Sequence, residues 1–245
     1  MAQHHEPWLT ALFNDHLAGP ANAILAMAGQ HAENPARPWN VPLTMEILVA
    51  VIIIILFAIL RPRLSVDRPG PLQHIFELVY NFVKGQAEDN VGHHPDKYMP
   101  LFGAMFLFIL FNNLIGIIPT FESPTMFPEV PLGMAMVSFL YYNWAGVAAN
   151  GPVKYAAHFA GPIWWLAPLM IPIEIISHLA RPLSLTIRLF ANMYAGEQVT
   201  LVFLGLVYLI VPTAFMGLHV FVAFLQAYIF ALLTMIYVGG AVAHE

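Results

Sequence analysis

The chain has no cysteine, so disulfides and thiolate metal sites are excluded and nothing can be said of its redox compartment. Charge is scarce as well: Asp, Glu, Lys and Arg make up 9% of 245 residues, and the formal net charge is −5. The few basic residues are scattered, which excludes a nucleic-acid footprint. Neither HExxH nor GxSxG occurs, so the usual signatures of a metal-dependent or serine hydrolase are missing. There is no tandem repeat and no low-complexity tract. The start, MAQHHEPWLTALFNDHLAGP, lacks the basic, apolar and small-residue series of a signal peptide, so membrane insertion is expected to use internal segments.

What the chain does have is apolar sequence. It is 59% hydrophobic with a mean hydropathy of +0.70, the composition of a polytopic membrane protein. A first span is expected over about 43–60, centred on VAVIIIILFAIL and followed at once by Arg61, Arg63 and Arg68. By the positive-inside rule that end is cytoplasmic, and residues 1–40 form an outer-side segment. Only Arg37 opposes this orientation. Residues 71–86, with Leu72, Ile75, Phe76, Val79, Phe82 and Val83 at helical spacing, read as an amphipathic helix on the cytoplasmic surface.

Further spans are expected over about 98–118 and 132–149. The loop between them carries Glu122 and Glu129 without a basic residue, as suits the outer side. From Ile163 to Ile210 the chain stays mostly apolar through Pro168, Pro172 and Pro182. As one helix, this stretch would reach roughly 70 Å against a hydrocarbon core of about 30 Å. It is therefore either two spans turning near Arg181-Pro182 or one steeply tilted helix, and the equally long last segment, 211–239, favours tilt. The expected fold is all-α: about five transmembrane helices, the last two long and tilted, in a single membrane domain over 41–245 with its C-terminus inside.

Arg188 is followed by no further lysine or arginine and lies deep in apolar sequence. A guanidinium stays charged there, and a charge at bilayer depth is costly enough to imply a function. Glu174, His178, Arg181, Arg188 and Asn192 recur at helical spacing and share one face. Glu197 falls half a turn away from Arg188, while His219 and Gln226, seven apart, share a face of the last helix and could meet Glu197 there.

Three stretches carry a resemblance to a known family: RPLSLTIRLFANMYAGE (Arg181–Glu197), HVFVAFLQAYIFALLTMIYV (His219–Val238) and FNNLIGIIPTF (Phe111–Phe121). They resemble the a subunit of the rotary F-type ATP synthase, over roughly residues 40 to 245. The resemblance implies a non-catalytic stator subunit of the bacterial inner membrane, coupling proton flow to rotation and ATP synthesis. It implies as partners a ring of c subunits, b-type peripheral stalk subunits, other ATP synthase subunits and membrane lipid. Arg188 would face the ring carboxylates and separate two offset half-channels. Asn192, Glu197, His219 and Gln226 map to the outer path, and Glu174 to an acidic position near the cytoplasmic exit. No cofactor, nucleotide or metal is implied.

Physical chemistry agrees with that transfer. Arg188 favours the ionised form of a carboxylate passing it, and it blocks protons without relaying them because it keeps its own. Glu197 and His219 can exchange protons, whereas Gln226 can only orient a neighbour or water. Blander readings stand beside these. Arg181 suits snorkelling or capping at Pro182, Arg188 a locking ion pair with Glu174 or Glu197, and His219, Gln226 and Asn192 interhelical packing. Ala191, Ala195 and Gly196 suit close packing. His93 and His94 sit in a polar loop where solvation is the ordinary state, and no metal is assigned. A secondary transporter is the alternative of another class, but it predicts inverted repeats that the sequence does not show.

Overall fold

A computed structural model describes residues 7–27, 34–66, 68–92, 95–118, 121–158, 165, 167–206 and 210–243. They form eight α-helices: α1 Trp8–Met27, α2 Val41–Leu60, α3 Pro71–Val91, α4 Met99–Ile115, α5 Glu129–Asn150, α6 Pro152–His158, α7 Ala167–Leu206 and α8 Ile210–Val242. His93, His94, residues 163, 164 and 166 at the start of the expected long span, and the C-terminal His244 and Glu245 lie outside the described residues.

Local sequence sets several boundaries. Asn40 caps α2 by accepting from the Leu43 N–H at 3.3 Å, with Pro42 in the first turn where its missing donor costs nothing. Pro71 opens α3 after Gly70 in the same way, and Gly92 ends it at φ 73°. Gly151, at φ 78°, closes α5 and lets the chain turn directly into α6.

The amphipathic helix expected over 71–86 continues to Val91, and its buried stripe of Val83, Ala87 and Val91 at spacing four continues with it. Polar QAEDN interrupts the apolar pattern and hides that continuation in the sequence. The choice left open at Arg181-Pro182 resolves into one helix: α7 runs unbroken through Pro172 and Pro182. Two helices went unread in the sequence. α1 arises in the outer-side segment, for which no helix was expected, and α6 lies just beyond Gly151.

α8 is the centre of the bundle, packing on α3, α4, α5 and α7. Its small inward residues Ala223, Ala227 and Ala231 alternate with Phe230, Met235 and Val238, all buried. Opposite them, α4 supplies Phe102, Met105, Phe106 and Ile109. At the far end, a Cβ on Gly239 would collide with the Asn90 carbonyl, so glycine is required for α3 and α8 to approach this closely. Among the described residues, the stretches Val41–Arg63 and Thr213–Val242 are long and apolar enough to cross a membrane, and Met99–Ile115 is a shorter apolar helix. α1 is pinned to the start of α2: Asn14 and Trp39 exchange side chain–backbone hydrogen bonds at 2.9 and 3.1 Å, and Trp8 contacts the Phe121 ring.

Candidate functional site

α7 divides lengthwise. Leu185, Leu189 and Met193, four apart, are buried against the bundle, while Ile187, Arg188, Ala191, Asn192 and Ala195 are exposed. Arg188 thus points away from its own chain, and among the described residues no hydrogen bond or ion pair engages it. The locking ion pair with Glu174 is not formed, because Glu174 pairs with Arg181 instead, at 3.6 Å.

The polar stripe therefore spans two environments. Its first half is engaged within the chain. The Arg181 guanidinium lies over the Tyr237 ring at 5.1 Å and the Tyr142 ring at 6.0 Å, besides pairing with Glu174. This contact on α5 and α8 replaces the snorkelling and capping readings of Arg181. His178 is buried, with Nε2 at 2.9 Å from Asn143 Oδ1 and 3.3 Å from the Tyr142 hydroxyl. Tyr155 on α6 donates its hydroxyl hydrogen to the same Asn143 oxygen at 2.9 Å. Burial holds the Tyr155 phenol above its ordinary pKa, and Arg181 only partly offsets this, so the phenol remains a donor. The second half, Arg188 and Asn192, is open to the exterior of the chain.

Glu197 is half-buried where α7 meets α8. Gly196 beside it is the point of closest approach: a Cβ there would lie 3.0 Å from Nδ1 of His219. The His219 Nε2 is buried and, among the described residues, has no hydrogen-bond partner. A buried polar atom in that state calls for a reason beyond packing. Gln226 is buried two turns further along α8. Between these two positions, the Ala223 carbonyl accepts from Asn113 Nδ2 at 3.2 Å. Asn113 Oδ1 accepts from Thr125 at 2.7 Å, and Ser123 joins Thr125 at 2.8 Å and the Asn112 carbonyl at 2.9 Å.

The family model described as ATP synthase A chain matches residues 43–239, from the start of α2 almost to the end of α8. The chain belongs to that family. It is 66% identical over 234 residues to "ATP synthase subunit a" of Solibacter usitatus (strain Ellin6076), covering 96% of this chain and 100% of the relative. With "ATP synthase subunit a" of Koribacter versatilis (strain Ellin345) it shares 47% identity over 240 residues, 98% of each chain. A third relative, "ATP synthase subunit a" of Helicobacter hepaticus, is 44% identical over 197 residues, covering 80% of this chain and 87% of that one. This family member is accordingly a subunit of the membrane sector of an F-type ATP synthase, with other ATP synthase subunits as partners.

Sequence reasoning passed over Tyr142, Asn143, Tyr155 and Tyr237, which surround the first half of the stripe, and Asn113 and Thr125, which tie α4 to α8. FNN within FNNLIGIIPTF was quoted for the family without a role, although adjacent asparagines in an apolar helix are a usable signal. The tyrosines gave none, since they lie on three other helices. Among the described residues no cluster of His, Asp and Glu has the make-up of a metal site.

Proposed function

We propose that this subunit is the stator of the proton path, presenting Arg188 to a rotating ring of c subunits and dividing two offset half-channels. What carries the reading is the position of Arg188, exposed on the face of α7 opposite the buried Leu189 and Met193 and flanked by exposed Ile187 and small Ala191. A permanent cation on the outer face of an apolar helix is costly in lipid unless a partner supplies the counter-charge. A carboxylate on a ring subunit answers that need, and small neighbours allow it to come close. The chain itself binds no nucleotide and catalyses no reaction.

In this reading α2, α4, α5, α7 and α8 make five crossings, with α7 and α8 tilted and α3 at the cytoplasmic surface. The N-terminus and α1 are outside and the C-terminus inside, in a bacterial inner membrane. The outer half-channel runs by Glu197, His219 and Gln226 to Asn192, and the inner one leaves past Glu174. The packing of His219 against Gly196 supports the first by joining α7 and α8 beside Glu197. Flow of protons toward Arg188 protonates each arriving ring carboxylate, and the guanidinium favours release on its other side. b-type stalk subunits hold the assembly against torque.

Disulfide trapping tests the interface. Cysteines at Ala191 or Ile187 are expected to cross-link to a c subunit in the assembled synthase, whereas cysteine at buried Met193 is not. Cross-linking from Met193 alone, with none from Ala191 or Ile187, rejects this orientation of α7.

A further inference from the structure

The resemblance to the family implies one acidic residue, Glu174, at the inner half-channel. Around it the structure gathers a group from four helices, joined by hydrogen bonds, an ion pair and cation–π contacts: Tyr142 and Asn143 of α5, Tyr155 of α6, Glu174, His178 and Arg181 of α7, and Tyr237 of α8. His178 sits in the middle of it, one turn from Glu174 and 9% exposed.

The network fixes which ring nitrogen carries the hydrogen. Asn143 Nδ2 donates to the Phe139 carbonyl at 2.7 Å, which turns Oδ1 toward His178 and Tyr155. That oxygen only accepts, and Tyr155 already donates to it, so His178 Nε2 must be the second donor. In the neutral ring, Nδ1 is then left as the basic nitrogen. The imidazole packs in edge-type contacts with the Phe139 and Tyr142 rings at centroid distances of 5.1 and 5.2 Å, which hinder it from turning over. Pro182, four residues on, has no N–H to give the His178 carbonyl.

We infer that His178 is a proton-exchanging residue of the inner half-channel, working with Glu174 between the ring and the cytoplasmic side. Its Nδ1 takes a proton released from the ring side, giving an imidazolium that keeps Nε2–H on Asn143. The same Nδ1 then releases that proton toward the inner solution, restoring the neutral ring, so proton and charge balance in each passage. Arg181 is a positioning residue: paired with Glu174 and seated over Tyr142 and Tyr237, it holds the carboxylate at the group. Tyr142 and Tyr155 orient the ring and Asn143. The inference rests on the stator reading above.

The test uses the assembled synthase in vesicles, recording gradient-driven ATP synthesis and ATP-driven proton pumping against the pH of the inner face. His178→Gln retains an N–H for Asn143 but cannot be protonated. It is expected to lower both rates roughly a hundredfold and to flatten their dependence on the pH of the inner face, with imidazole on the inner side restoring flow. A packing role predicts neither the flattening nor the rescue. Asn143→Asp is the second variant: a carboxylate against Nε2–H stabilises the imidazolium and should move the profile toward higher pH by about one unit. A wild-type profile in His178→Gln, or a loss without imidazole rescue, overturns the inference. So does an unmoved profile in Asn143→Asp if the glutamine variant fails to assemble. Arg188→Ala run in parallel separates the two claims. If coupling persists there, the stator reading fails, whereas coupling lost there with His178→Gln unaffected removes His178 alone.

Discussion

His219 rests against Gly196 so closely that a Cβ added to the glycine would lie 3.0 Å from the ring Nδ1. The separation between α7 and α8 at this level is therefore set by the missing side chain. Gly196→Ala gains helix propensity of roughly 1 kcal/mol but forces the imidazole aside, at an overpacking cost of about 1–3 kcal/mol. The expected outcome is a slightly destabilised subunit that still assembles and passes protons more slowly. Thermal melting of the assembled complex and proton flow through the ring sector in vesicles check both parts. Unaltered flow in Gly196→Ala shows that the His219 ring position does not matter to conduction.

Arg188→Ala should abolish ATP synthesis driven by the ion gradient while leaving the fold intact. The side chain is exposed and, among the described residues, makes no hydrogen bond or ion pair within the chain, so its removal breaks neither kind of bond. Stability is expected to change by less than about 0.5 kcal/mol, as for an exposed site away from special features. Complex assembly, melting temperature and synthesis rate are measured together. Coupled synthesis at a normal rate contradicts the stator mechanism.

For the outer path, Glu197→Gln and His219→Ala should each slow proton flow. Glutamine keeps the size of Glu197 but cannot release a proton, and alanine removes the buried Nε2 altogether. Flow measured in the two single variants and in the double variant decides whether they act in series. A path in series predicts that the double variant is little worse than the slower single one. Unchanged flow in either single variant removes that residue from the path.

The sequence made the helical class and the family legible because the apolar runs are long and RPLSLTIRLFANMYAGE is distinctive. Arg188, Glu197 and His219 stood out because a charge or imidazole in apolar sequence needs no partner to be noticed. The partition of the stripe could not be read, since helical spacing puts Arg181 and Arg188 on one face. Only the tyrosines of α5 and α8 decide that the first is engaged and the second is not. α1 escaped notice because its hold on the bundle comes from Asn14 and Trp39, 25 residues apart, with little amphipathic pattern in between. The unbroken course of α7 likewise depends on neighbours that support a helix weakened at Pro172 and Pro182.

Asn113→Ala is expected to be the most destabilising of these changes. Asn113 is fully buried and spans three parts of the fold, donating to the Ala223 carbonyl of α8 and accepting from Thr125 in the turn after α4. Alanine leaves the Thr125 hydroxyl with Ser123 as its remaining side-chain partner and withdraws the side-chain donor from a carbonyl between His219 and Gln226. A buried polar group that loses its partner costs about 1–3 kcal/mol, and the cavity adds to this. Because the contact joins α4 to α8 beside the proposed outer path, proton flow should fall along with melting temperature. Thr125→Val removes the same bond from the other side while preserving volume, so it should lower stability with a smaller effect on flow. Equal melting temperatures for wild type and Asn113→Ala refute this assignment of the α4–α8 tie.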